Sequence, residues 1–189
     1  MKLIGVAGTN GSGKDTVGEM LAERHNFLFV SVSDFLREEC KKRGLPIERE
    51  NLRMISAEWR REFGLGVLVD KSIELFNNSK HKYDGVVSIP MRNTGEAQHL
   101  EDLGGTLVWV DADPKIRYKR ISSRQRTAED KKTYEEFLAE QEAEMRHSGD
   151  KATLNIADVK ELCDIFLTND GDDKEAFKDA AEKSLKSIL

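Results

Sequence analysis

The sequence predicts a three-layer, doubly wound α/β domain built on a five-stranded parallel sheet. Five short apolar runs rich in β-branched residues supply the strands: Lys2 to Ala7, Phe27 to Ser31, Gly85 to Ser88, Thr106 to Asp111 and Asp164 to Thr168. Each is bounded by Gly, Asp or Asn and lacks a polar face, as strands covered on both sides do. Helical patterns separate the runs, so the connections are right-handed crossovers and ligands belong at the carboxyl ends of the strands. A glycine-rich turn, Gly8-Thr9-Asn10-Gly11-Ser12-Gly13-Lys14, follows the first run directly.

The chain's 189 residues fit one domain, 1–189, that needs no disulfide or structural metal to bury a core. The opening Met1 to Gly8 reads as a strand, not a signal peptide, and the apolar runs are only strand-sized, so no membrane partner is expected. Cys40 and Cys163 lack paired spacing, which suits reduced thiols and a cytoplasmic location. A net charge of −5 repels polyphosphate backbones, which excludes a nucleic-acid partner held by counterion release. Any phosphate is therefore held locally, by a monomer or a homodimer.

The core is assigned to about 1–32, 80–121 and 154–189. Two stretches interrupt the alternation. About 33–79 holds too many helical residues for one crossover and reads as a helical insert beside the site; about 122–153 is highly charged and reads as a lid. Within the insert, Leu52, Ile55, Trp59 and Phe63 fall on one core stripe ending at Gly64. Asn93 to Glu96 reads as a capping box, and Pro114 behind Asp113 opens a helix after the fourth strand.

Gly8 to Lys14 satisfies G-x-x-x-x-G-K, between a strand and a helix burying Val17, Met20 and Leu21. Glycines let successive amides turn toward phosphate oxygens, and the helix start adds partial positive charge. Gly8, Asn10, Gly11, Ser12, Gly13 and Lys14 are thus the candidate ATP-binding residues, with Asp15 and Thr16 beside them. Asp15 stands where a Ser or Thr usually holds Mg²⁺; it serves either as a hard metal ligand or as a first-turn helix acid. No acid ends the third strand, where Ser88 and Ile89 stand, so Asp34, Asp15 or Asp111 would hold the metal.

Asp34 and Arg37 lie three apart at the second strand's carboxyl edge, and Arg92 follows the third strand. Guanidinium forks there would bind an acceptor's phosphate while Asp34 orients the attacking hydroxyl; the alternative is a helix cap with surface ion pairs. Arg117, Arg120 and Arg124 repeat at helical spacing with Arg126 beyond, either as a lid ladder facing the transferring phosphoryl or as a basic face balancing Glu135, Glu136, Glu140, Glu142 and Glu144. Asn169, after the fifth run, ends in a turn that borders the nucleotide base. Asp102 to Gly105 matches D-x-x-G but precedes a strand and reads as a helix cap; with no N-K-x-D behind it, a GTPase is not expected.

The glycine loop, Ser33-Asp34-x-x-Arg37, Trp59 to Gly64, Arg92 with Glu96, Asp111-Ala112 with its arginines, Tyr134 to Phe137 and Ala157 through Gly171 together resemble the nucleoside monophosphate kinase and dephospho-coenzyme A kinase group of P-loop kinases. They are most similar to its archaeal-type, adenylate kinase-like branch, over nearly the whole chain. That resemblance implies the P-loop kinase fold, ATP with Mg²⁺ as cofactors, an acceptor-binding insert and an arginine-bearing lid. Arg37 and Arg92 match that group's acceptor-phosphate positions, whereas Asp15 departs from its commonest pattern; the residues themselves make Lys14, Asp34, Arg120 and Arg124 the candidate catalytic groups, with Arg120 and Asn169 on ATP, Asp34 beside the two arginines on the acceptor, and Asp15 and Asp34 on the metal. The expected reaction is γ-phosphoryl transfer to a nucleotide-type acceptor; the alternatives are a dephospho-coenzyme A kinase and an ATP-binding regulator with little turnover.

Overall fold

The computed structural model describes residues 1–79, 82–124, 132–145 and 149–189, with Arg124 described in its backbone only. The chain alternates as the apolar runs require. Strand β1 (Lys2–Gly8) leads into α1 (Lys14–His25), β2 (Phe27–Ser31) and then three consecutive helices, α2 (Val32–Lys42), α3 (Arg49–Phe63) and α4 (Val67–Asn78). Then come β3 (Gly85–Met91), α5 (Thr94–Asp102), β4 (Thr106–Asp111), α6 (Pro114–Arg124), α7 (Tyr134–Met145), α8 (Ile156–Glu161), β5 (Ile165–Thr168) and α9 (Lys174–Leu185).

All four strand pairings are parallel and the order is β2-β3-β1-β4-β5. The central strand shows why the runs are apolar throughout. Ile4 and Val6 point to the layer of α1 and α9, where they meet Val17, Met20 and Phe177. Leu3 and Ala7 point to the other layer, with Val69, Leu100, Trp109 and Ile156. Alternation by two therefore buries both faces. A third cluster, Val32, Leu36, Cys40, Ile55, Trp59 and Leu68, ties α2 and α3 to α4.

Strand β3 runs on to Met91, directly before Arg92, and β5 starts at Ile165 because the Asp164 carboxylate instead accepts from the Leu107 amide. Phe63 departs from its stripe: it is 60% exposed. It closes α3, and Gly64, at φ 99°, turns the chain away before any neighbour covers that last position. Asn93 caps α5 through its side chain, but Glu96 turns to Arg60 and the Arg92 amide, so the box is half formed. Both cysteines are free and buried; burial pushes the Cys163 thiol up to about 12. Among the described residues, no helix is long and apolar enough to cross a membrane.

Candidate functional site

The loop after β1 adopts left-handed backbone at Gly8, Gly11 and Gly13, with φ of 139°, 80° and 99°. Close packing fixes the first and last as well: a Cβ on Gly8 would lie 2.0 Å from the Val110 carbonyl oxygen, and one on Gly13 2.4 Å from Asn169 Nδ2. Gly13 precedes α1 without a side-chain cap. The Thr16 amide donates to the Gly13 carbonyl at 3.0 Å, whereas those of Lys14 and Asp15, at the positive end of the helix, are open to an anion. Lys14 is buried and its Nζ donates to the Thr9 carbonyl at 2.5 Å. Burial, aided by the nearby Arg92 charge, lowers its pKa to about 7. An arriving phosphate restores the ammonium, because opposite charge favours the ionised form.

Three side chains brace this cradle from behind. Thr9 Oγ1 donates to Asp111 Oδ1 at 2.6 Å, and Asn169 Nδ2 donates to the Ser12 carbonyl at 2.8 Å. Arg117 is 2% exposed; its Nε donates to the Ala112 carbonyl at 2.7 Å and lies 3.6 Å from Asp111, while its guanidinium rests over the Phe137 ring. The ladder is therefore split. Arg117 turns inward beneath the loop because α6 packs there against α7, whereas Arg120 reaches the Asn169 carbonyl at 2.9 Å and that of Gly171 at 2.5 Å. The side chain of Arg124 and all of Arg126 lie outside the described residues.

The cradle separates two hollows. On one side, Gly11, Gly13, Thr16, Arg120, Asn169 and Phe177 line a groove of about 130 Å³. On the other, Asn10 opens onto a cavity of about 310 Å³ with apolar walls such as Leu36, Leu68 and Ile121, into which five arginines face: Arg37, Arg49, Arg53, Arg60 and Arg92. Arg37 and Arg92 were expected there. Arg49, Arg53 and Arg60 were not, although Arg49, Arg53, Ser56 and Arg60 recur every three or four residues on α3 and form a polar stripe beside the apolar one. That period was their signal.

Arg60 is buried and paired to buried Glu96 at 2.7 Å, with further bonds to Ser56 and the Ala152 carbonyl. This pair joins the insert to α5 and to the segment before α8. Arg37 pairs with Asp34 at 2.5 Å on the exposed rim. Glu144, from α7, is 8% exposed and faces Arg53 at 2.5 Å and Arg49 and Arg92 at 3.6 Å each. Burial alone would raise its pKa, but Arg92, Arg49 and Arg53 outweigh that and hold it below the usual carboxylate range. In sequence Glu144 was only one acid in a charged run.

Asp15 is exposed in the first turn of α1, and Ser88 is fully buried, sharing a hydrogen bond with Ser72 on the far side of β3. Among the described residues no three His, Cys, Asp or Glu gather as a metal cluster.

A family model described as an AAA domain matches residues 4–145. The chain is 31% identical over 193 residues to a UPF0200 protein of Pyrococcus abyssi, spanning 99% of this chain and 97% of that one. A UPF0200 protein of Saccharolobus islandicus is also 31% identical, over 192 residues, spanning 100% and 95%. Among solved structures, the chain is similar to a shikimate kinase from Bacteroides thetaiotaomicron, with TM-score 0.62, 14% identity and coverage of 99% and 98%. It is also similar to a shikimate kinase from Acinetobacter baumannii in complex with shikimate, with TM-score 0.55, 19% identity and coverage of 100% and 93%. At such identities the likeness is one of fold, and the fold is that of the P-loop kinases.

Proposed function

This chain belongs to the UPF0200 family and carries its AAA domain, and from that premise we propose that it transfers the γ-phosphoryl group of ATP to a small, nucleotide-type acceptor. One observation carries the reading: the phosphate cradle lies between a polar groove and an arginine-lined cavity, so donor and acceptor can meet at Lys14. A triphosphate whose base lies in the groove beside Arg120 and Asn169 would run along the amides of Gly11 to Lys14. Its terminal phosphoryl would then point toward Asn10 and the cavity.

The chemistry in such a site is positioning and charge neutralisation. Lys14 takes up a proton as it leaves the Thr9 carbonyl for the β- and γ-oxygens. Thr9, Asp111 and Arg117 keep the loop from yielding. Arg37 and Arg92 hold the acceptor's anionic group, and Asp34, once Arg37 turns to that ligand, is released to accept the proton of the attacking hydroxyl. Mg²⁺, when bound with ATP, supplies charge neutralisation across the phosphates. Asp15 and Asp34 would be its protein ligands, few enough that the cation would keep most of its waters.

The direct test measures ADP release from Mg-ATP against nucleoside monophosphates, deoxynucleotides and dephospho-coenzyme A. Acceptor-dependent release with one class identifies the substrate. ATP binding with no acceptor-dependent release would refute the phosphotransferase reading in favour of a nucleotide-binding regulator.

A further inference from the structure

Glu144 needs an explanation that its helix does not provide. Along α7 only Phe137 and Glu144 are buried, and a buried carboxylate is stable only when strongly compensated. Here the compensation comes from several guanidiniums at once. Of the five cavity arginines, Arg37 has Asp34 and Arg60 has Glu96, while Arg49, Arg53 and Arg92 all approach one oxygen, Oε1, of Glu144. Arg49 also reaches Glu140 at 3.3 Å. Around that single monoanionic oxygen sit three guanidiniums drawn from two separate parts of the chain, opening on a cavity of about 310 Å³.

We propose that Arg49, Arg53 and Arg92 form a subsite for a dianionic phosphate group of the acceptor, and that Glu144 is an internal anion which occupies it until that group arrives. A phosphate monoester presents three oxygens and nearly twice the charge of a carboxylate, so it matches three forks better than Glu144 does. Binding it expels Glu144 and detaches the last turn of α7. The acceptor thereby reports its presence to α7. The proposal rests on the cavity being the acceptor site, as proposed above, and adds that Glu144 holds the acceptor's phosphate position until it is displaced.

Inorganic phosphate is a sufficient probe, titrated calorimetrically into the full chain and its variants. Phosphate binding at this subsite should survive Lys14→Ala, weaken at least about tenfold in Arg53→Gln and tighten about tenfold in Glu144→Gln, where the internal competitor is gone. In the unsubstituted protein, phosphate should speed amide hydrogen exchange within 134–145. A nucleoside monophosphate should compete with phosphate, and its parent nucleoside should not.

Affinity unchanged in Glu144→Gln, with melting like the parent, overturns the proposal. So does phosphate binding that Arg53→Gln leaves intact, which also decides the matter should Glu144→Gln fail to fold. The two readings fail separately: phosphate binding abolished by Lys14→Ala alone belongs to the loop and sinks the subsite. Loss of ATP binding, with the Arg53 and Glu144 effects intact, sinks the kinase reading and leaves the subsite standing.

Discussion

The glycine-rich cradle and the arginine-lined cavity meet at Asn10, yet they are built by different means. The cradle works through backbone: three left-handed glycines, a helix start and one lysine, all within Gly8 to Lys14. The cavity works through side chains: Arg37 from α2, Arg49, Arg53 and Arg60 from α3, Arg92 after β3, and Glu144 from α7. A backbone site is rigid and indifferent to what lies beyond the phosphates. A site of long, ion-paired side chains can exchange an internal partner for an external one, and its selectivity follows from which elements happen to converge. The difference teaches where tolerance lies: the cradle fails by losing one atom group, the cavity by losing its scaffolding.

The largest effect should come from the cradle's one indispensable side chain. Lys14→Ala is expected to lower acceptor-dependent ADP release by about a thousandfold, measured with a coupled assay, without changing the melting temperature downward. Near-normal turnover would remove Lys14 from the mechanism.

Next is the scaffolding of the cavity. Glu96→Gln leaves the buried Arg60 charge poorly compensated and should destabilise the fold by about 3 kcal/mol, roughly 10 °C in Tm. Replacing both residues with apolar side chains should cost less, because no orphaned charge remains. If the single substitution melts like the parent, the pair does not hold the insert in place.

Rim contacts should matter less. Arg37→Ala is expected to raise the acceptor KM about tenfold with kcat little changed, as loss of uniform binding requires. An unchanged KM would place the acceptor elsewhere.

The smallest effect separates the two regions by pH. Unliganded Lys14 titrates near 7, whereas phosphate requires the ammonium, so binding above that pH must take up a proton. ATP affinity should accordingly fall severalfold between pH 7 and 8, and calorimetry in buffers of different ionisation heat should show uptake approaching one proton, about none at pH 6. The affinity of the Arg53 subsite for a nucleoside monophosphate, already largely dianionic at pH 7, should stay nearly flat over that interval, because its guanidiniums do not titrate there. Equal pH dependence at both sites would erase the distinction.

Much of this molecule follows from local patterns. The five parallel strands and the doubly wound order follow from the apolar runs, since burial on both faces demands continuous apolar strands. The loop is legible because its geometry resides in contiguous backbone, Arg92 because it directly follows β3, and Arg37 because it lies on the helix that leaves the carboxyl end of β2. Phe63 and Arg117 went the other way: a helix-period argument gives the face a residue occupies, not whether another element comes to cover it. The stripe Arg49, Arg53, Ser56, Arg60 carried a visible period, but polar residues at that period also describe any solvated helix face.

Glu144 had no such signal, since it was one of several acids on a charged helix. Sequence by itself determined which segments become strands and helices and where a phosphate can be gripped, because period, glycine and helix dipole act over a few residues. Only tertiary structure decided that Arg60 meets Glu96 across 36 residues and that Arg53 meets Glu144 across 91. Charges pair according to where the packed sheet and helices leave them, and no local rule encodes that distance.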